Sequence, residues 1–233
     1  LAGMAFGAMA EEGVPGLSGL LEVLEKAGKP GQVVTNPDGT RVLLLPYGGR
    51  VLGLFAAENE ENFYWTHPAL SSAETARTFY AGKEWQNSGG DRTWLAPEVD
   101  IFLPKFPDTS VYWQPRELDP GKYNAVQGKH GVRLVNHLSL KMSRSGKAVS
   151  LCMTKSVGPA PNPLRYEKGL DVSGLSYAGY TQYTSLEITS VKEAPAVGLW
   201  NLVQMPHGGE LLIPTFSKTS PKIWFGEISA DDL

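Results

Sequence analysis

Between Val132 and Met142 the chain alternates. Val132, Leu134, Leu138, Leu140 and Met142 fall on one side of an extended backbone, and Arg133, His137, Ser139 and Lys141 on the other. A segment with this period needs an apolar layer under one face and water over the other. Ser143-Arg144-Ser145-Gly146 turns the chain into a second long strand, Lys147 to Val157, so the two form an antiparallel hairpin. Gln32 to Thr35 and Arg41 to Leu45 flank Asn36-Pro37-Asp38-Gly39, whose Pro and Gly supply the dihedrals of a tight turn and make another hairpin. Further strands are expected at Arg50 to Phe55, Tyr180 to Val191, Val197 to Val203, Glu210 to Ile213 and Lys222 to Phe225.

Helix signals are few. Leu17, Leu20, Leu21 and Leu24 have helical spacing, with Gly28 and Pro30 as stops. Ser71 and Glu74 have the spacing of a capping box ahead of Ala76, Phe79 and Tyr80, and that helix should end near Gly82. Many antiparallel strands, with helices confined to the first third, predict a mainly β protein built as a sandwich rather than a parallel α/β sheet. The 26 Gly and 17 Pro agree with many strands joined by turns. Residues 1–16 read as a signal-peptide remnant or a disordered leader, because the small, apolar start ends in Ala8-Met9-Ala10 before Glu11-Glu12. Residues 17–233 read as one β-sandwich domain. Pro159-Ala160-Pro161-Asn162-Pro163 reads as a loop crossing between sheets rather than a linker.

The balance of 21 basic and 24 acidic residues leaves a net charge of -3 with no long block of one sign, so no nucleic-acid or membrane-surface footprint is present and a neutral partner is expected. No run of 18 apolar residues predicts a transmembrane helix. Phosphate-loop, nucleophile-elbow and His-Glu-x-x-His patterns are absent. The histidines, His67, His130, His137 and His207, have no metal-ligand spacing. Cys152 is the sole cysteine, without a basic neighbour in sequence or an evident His partner, and reads as a buried inert thiol.

Three segments carry chemistry. Gly89-Gly90-Asp91-Arg92-Thr93-Trp94-Leu95-Ala96-Pro97-Glu98 brings two carboxylates, a guanidinium and an indole together. Sugar recognition uses an apolar plate for the C–H face and planar hydrogen-bonding groups for hydroxyls, which Trp94, Arg92 and Asp91 supply. Alternatively, an Arg–carboxylate pair holds a loop while the Trp fills the core. Glu58 to His67 repeats that inventory, with Glu61, Asn62, Trp65 and His67 as its candidates; the other reading is a solvated turn leading into a strand. Gln204-Met205-Pro206-His207-Gly208-Gly209-Glu210 adds an amide and an imidazole on a loop, where His207 is either a general acid or a surface residue.

Leu45-Pro46-Tyr47-Gly48-Gly49-Arg50-Val51-Leu52 resembles the early strand-turn segment of galactose mutarotase-like proteins. Residues Gly89 to Glu98 resemble the Gly-Gly-x-Arg-x-Trp-x-Ala-Pro-Glu stretch of uncharacterised bacterial members of that superfamily. With Glu61 to Thr66 and Leu199 to Gln204, the resemblance spans roughly Val33 to Ile213. It implies an antiparallel β-supersandwich with one or two short helices near the N-terminus. It also implies aldose 1-epimerase chemistry: a carboxylate takes the anomeric hydroxyl proton, an imidazolium protonates the ring oxygen, and no cofactor or metal is needed. The paired His motifs of the galactose enzymes are absent and their general base lies late in a longer chain, so the resemblance also implies truncation, with that base beyond Leu233. Within the chain the expected catalytic groups are Glu98, Asp91 and His207, with His67 as a second candidate acid. The expected sugar contacts are Arg50, Glu61, Asn62, Trp65, His67, Arg92, Trp94 and Gln204.

The leading expectation is thus a carbohydrate-active isomerase acting on a neutral sugar or oligosaccharide. The alternatives are a non-catalytic carbohydrate-binding protein and a structural sandwich domain. A periplasmic or secreted location is expected from the leader, and a cytoplasmic one otherwise.

Overall fold

The computed structural model describes residues 15–57, 59–128, 131–169, 171–190 and 195–220. Nearly all of the expected leader, the expected strand Lys222 to Phe225, Glu58 and His130 lie outside the described residues.

The protein is mainly β. Strands β1 (Gln32–Thr35), β2 (Arg41–Leu45), β3 (Arg50–Phe55), β4 (Asp91–Ala96) and β9 (Gly198–Val203) form one sheet in the order β1-β2-β3-β4-β9. Strands β5 (Asn124–Gly128), β6 (Gly131–Lys141), β7 (Ala148–Pro159) and β8 (Tyr180–Ser190) form the other in sequential order. All neighbouring pairs are antiparallel. The helices are α1 (Leu17–Lys26), α2 (Ala73–Ala81) and the single-turn α3 (Glu98–Ile101), which lies beyond the first third where helices were expected.

The two sheets meet where Val42, Leu44 and Val51 of the five-stranded sheet pack with Val132 and Val157 of the other. On β6 the expected alternation holds, with Val132, Leu134, Leu138 and Leu140 buried, and β7 buries Val149, Leu151, Met153 and Val157 on the same face, where Asn136 and Lys155 are buried as well. The far face of the five-stranded sheet is covered by helices: Leu17, Leu20 and Leu24 of α1 and Ala76 and Tyr80 of α2 pack on Leu43, Leu45, Leu52 and Phe55. Covered on both sides, β3 is buried at every position. An irregularity opposite Leu43 and Leu44 leaves Leu52 out of the pairing, so Val51 and Leu54 share the inner cluster while Leu52 joins the helix side.

Several expectations need correcting. The cap of α2 is Ser72, whose Oγ accepts from Thr75 N at 3.2 Å, because Pro68–Ser71 forms its own 3-10 turn and uses up Ser71. Glu210 to Ile213 is not a strand. Gly208 and Gly209 take φ of 104° and 81°, and Leu211, Leu212 and Ile213 stay more than 70% exposed without a pairing partner. The Pro-rich segment joins β7 to β8 within one sheet rather than crossing between sheets. Cys152 is half-buried on the outer face of β7, directly across from His137, with Sγ 3.9 Å from Nε2. No helix among the described residues is long and apolar enough to cross a membrane.

Candidate functional site

Strand β4 divides its chemistry between two faces, as a period of two requires. Asp91 points towards the four-stranded sheet, where Lys155 of β7 donates to its Oδ1 and Gln182 of β8 donates to Oδ2 at 3.5 Å. Both members of the pair are buried. Burial pushes the Lys155 ammonium down from its ordinary pKa, against the pull of the Asp91 charge. Nearby, the Tyr64 and Tyr180 hydroxyls share a hydrogen bond of 2.8 Å, and burial raises Tyr64 to about 12.

Arg92 and Trp94 take the opposite face. There the Arg92 guanidinium carbon lies 4.2 Å from the ring centre of Trp94, 4.9 Å from Trp85 and 5.9 Å from Trp200, distances at which a cation is attracted to the ring faces. Register explains part of this cage, since Trp94 pairs with Trp200 across β4 and β9. The Trp94 indole is packed in addition against Phe102, which stacks on Tyr112 at 5.7 Å and 12°.

Asp119 ties the floor of this region together. Its Oδ2 accepts from Arg50 Nη2 at 3.0 Å, Trp85 Nε1 at 3.0 Å and Trp94 Nε1 at 3.1 Å. Arg50 also donates through Nη1 to Gly89 O at 3.0 Å and Asn87 Oδ1 at 3.3 Å, and none of its surface is exposed. Arg50 is thus fully engaged. Arg92 is not: it is 8% exposed, its Nε is buried without a hydrogen-bond partner, and its terminal nitrogens bond to nothing among the described residues. Burial and the like charge of Arg50 lower its pKa to about 10.

Glu98 opens α3 directly after β4, and its charge and that of Arg92 act on one another. That helix is fastened to the β6–β7 turn, with Asp100 Oδ1 accepting from Arg144 N at 2.9 Å and Ser145 N at 2.8 Å, and Ser143 Oγ donating to Ile101 O at 2.9 Å. Trp113 N donates to Phe102 O at 2.8 Å, which fixes the chain beside Tyr112. Half-buried, the Glu98 carboxyl has its pKa raised by loss of water, with the Arg92 charge pulling the other way. Burial, with the Glu98 charge adding to it, raises Tyr112 as well. Arg92, Glu98 and Tyr112 therefore form one electrostatic unit walled by three indoles.

The remaining candidates are placed elsewhere or are used by the backbone. Asn62 Oδ1 accepts from Leu54 N and Tyr64 N, both at 3.0 Å, and its Nδ2 donates to Leu52 O. Glu61 is exposed. Trp65 N donates to Gln204 O at 3.0 Å and both residues bond to the Gly90 backbone, while Gln204 Oε1 is buried without a partner among the described residues. That lacing needs the glycine pair, because a Cβ at Gly90 would lie 2.1 Å from Val51 O and one at Gly89 2.3 Å from Trp65 O. His67 caps the Pro68–Ser71 turn, its Nδ1 accepting from Ala69 N at 3.1 Å, and stacks on Phe79 at 4.4 Å. His207 is on an exposed loop past β9. Because β4 and β9 run antiparallel, with Ala96 opposite Gly198 and Asp91 opposite Val203, Glu98 and His207 leave the ladder at opposite ends.

Burial holds the His67 pKa below 6.5. As pH falls, the unfolded chain therefore takes up a proton before the folded protein does. Stability drops across the window that opens near pH 6.5 and closes at the lower folded value, and returns as pH rises. His67→Asn keeps a capping acceptor but cannot titrate. Urea midpoints measured from pH 7.5 to 5 are expected to show a smaller acid-side decline in this variant than in the wild type.

Trp85, Tyr112, Asp119, Lys155 and Trp200 belong to these networks without having been singled out in the sequence. Only Trp200 carried a local signal, as part of the Leu199-Trp200-Asn201-Leu202-Val203-Gln204 segment. No group of three or more His, Cys, Asp or Glu among the described residues is arranged to hold a metal ion. No protein-family model, curated protein or solved structure matches the chain.

Proposed function

We propose that the chain is a carbohydrate-binding protein of the galactose mutarotase-like type, a β-supersandwich that receives a sugar at the Arg92 recess. The observation that carries this reading is the Arg92 side chain, nine-tenths buried among Trp85, Trp94 and Trp200, its Nε buried and without a hydrogen-bond partner among the described residues. Buried donors are ordinarily satisfied, and one left open beside a half-buried carboxyl and aromatic walls suits a ligand that brings oxygens and an apolar ring face. In this reading the half-buried Trp85 and Trp200 and the half-exposed Tyr112 supply the plate.

A second reading, anomeric interconversion, is favoured by Glu98. Its raised pKa brings the carboxyl closer to the range where it exchanges protons with a sugar hydroxyl. In this reading Glu98 takes the anomeric hydroxyl proton and Arg92 steadies the developing oxyanion, while a separate acid protonates the ring oxygen.

Proton NMR on a panel of reducing sugars separates the two. Saturation transfer without faster anomeric exchange supports binding alone. Exchange accelerated over buffer and abolished in Glu98→Gln supports the epimerase reading. Absence of both across the panel contradicts the proposal.

A further inference from the structure

Among the described residues the buried charged side chains are Arg50, Asp91, Arg92, Asp119 and Lys155, three cations against two carboxylates. Asp119 is committed to Arg50 and Asp91 to Lys155, each through an ion pair. Of these five, Arg92 is therefore the one without an ion pair among the described residues. The charges of Asp119, Tyr112 and Glu98 act on it with that of Arg50 opposing, yet neither Asp119 nor Glu98 makes an ion pair with it. A buried cation without a carboxylate partner is costly, and the indoles around Arg92 compensate only part of the lost hydration.

Resting on the carbohydrate reading above, we infer that the sugar taken at this recess is acidic, a uronate-class sugar whose carboxylate pairs with Arg92. A guanidinium offers parallel N–H donors to a carboxylate in one plane, and a flat group of that kind fits between aromatic walls better than a tetrahedral anion does. The sequence-level expectation of a neutral partner came from the whole-chain charge, which averages over this single uncompensated site. A second consequence follows from Glu98. Bringing a carboxylate next to it adds a like charge, so its pKa rises further and binding takes up protons just above its free-protein pKa.

The test is calorimetric titration of the whole chain with methyl α-galacturonoside, methyl α-galactoside and galactose 6-phosphate, all at one pH and ionic strength. The expected result is at least tenfold tighter binding of the uronoside than of the galactoside, weakened in Arg92→Lys, which keeps the charge but loses the planar fork. Repeating the uronoside titration in buffers of different ionisation enthalpy should show proton uptake that disappears in Glu98→Gln, a readout that leaves Arg92 untouched. Equal or tighter binding of the neutral galactoside overturns the acidic-sugar inference while leaving the carbohydrate reading in place. Tightest binding of the phosphate overturns the carboxylate assignment. Binding of none of the three overturns the inference and counts against the carbohydrate reading on which it rests.

Discussion

Asp119→Asn is expected to lower the free energy of unfolding by about 3–5 kcal/mol, the range for removing one partner of a buried ion pair. The size follows from how much one oxygen carries. Asp119 Oδ2 receives the Arg50 guanidinium and the indole N–H groups of Trp85 and Trp94, and the carboxylate and guanidinium are both essentially removed from water. An amide keeps one acceptor oxygen but loses the charge and presents N–H groups where donors already converge. Arg50 is then a buried cation with only neutral acceptors. Since domains are stable by about 5–15 kcal/mol in total, a loss of this size is a large share of the whole. Urea unfolding at pH 7 measures it, and a loss below about 1 kcal/mol would show that Asp119 does not organise this region. Trp94→Phe, which removes a single donor and keeps most of the ring packing, should cost distinctly less.

Lys155→Met should have a comparable effect for the opposite charge. It leaves Asp91 between the sheets with Gln182 as its remaining side-chain donor, again at a cost of about 3–5 kcal/mol. Two further results distinguish loss of charge balance from loss of packing. In the double variant Asp91→Leu/Lys155→Met no charge remains to be compensated, so much of the stability should return. In the single variant the orphaned carboxylate has a raised pKa, the folded state binds more protons than the unfolded one, and the defect should shrink as pH falls from 7 towards 5. Urea midpoints for wild type and both variants across that range are sufficient. A double variant as unstable as the single one would contradict this account.

Legibility in the sequence followed the apolar pattern. Strand β6 announced itself because one face meets the core and the other meets water, so period two survives in the residue types, and the Ser143-Arg144-Ser145-Gly146 turn marked β7 as its hairpin partner. The β1–β2 hairpin was marked by Asn36-Pro37-Asp38-Gly39, where Gly39 takes φ of 86°. Strand β4 was hidden for the opposite reason. Asp91 is needed on one face for Lys155 and Arg92 on the other for the tryptophan cage, so its first two residues are charged and the alternation disappears. Short, largely exposed β5 has little apolar patterning to read. Leu211-Leu212-Ile213 misled because an apolar run predicts a strand only where a partner edge is present.

The candidate site was half legible. Arg92, Trp94 and Glu98 lie in one ten-residue stretch, and the structure brings their side chains into one region. The same stretch contains Asp91, which points away from them. What no local pattern conveys is pairing over distance: Arg50 with Asp119 across 69 positions, Asp91 with Lys155 across 64, and Trp94 with Trp200 through strand register. The same long-range pairing gave Arg50 its buried partner and left Arg92 without one among the described residues, a difference that two similar arginines on neighbouring strands do not show in sequence.

The central claim is that a sugar occupies the recess walled by Trp85, Trp94 and Trp200 around Arg92. Its most direct test follows the indole N–H resonances of the protein during titration with methyl glycosides of neutral and acidic hexoses. The account predicts saturable shifts at Trp85 and Trp200, little change at Trp65, and loss of the shifts in Arg92→Met. Saturable shifts confined to Trp65, or no shift at any indole with any of the glycosides, would contradict it.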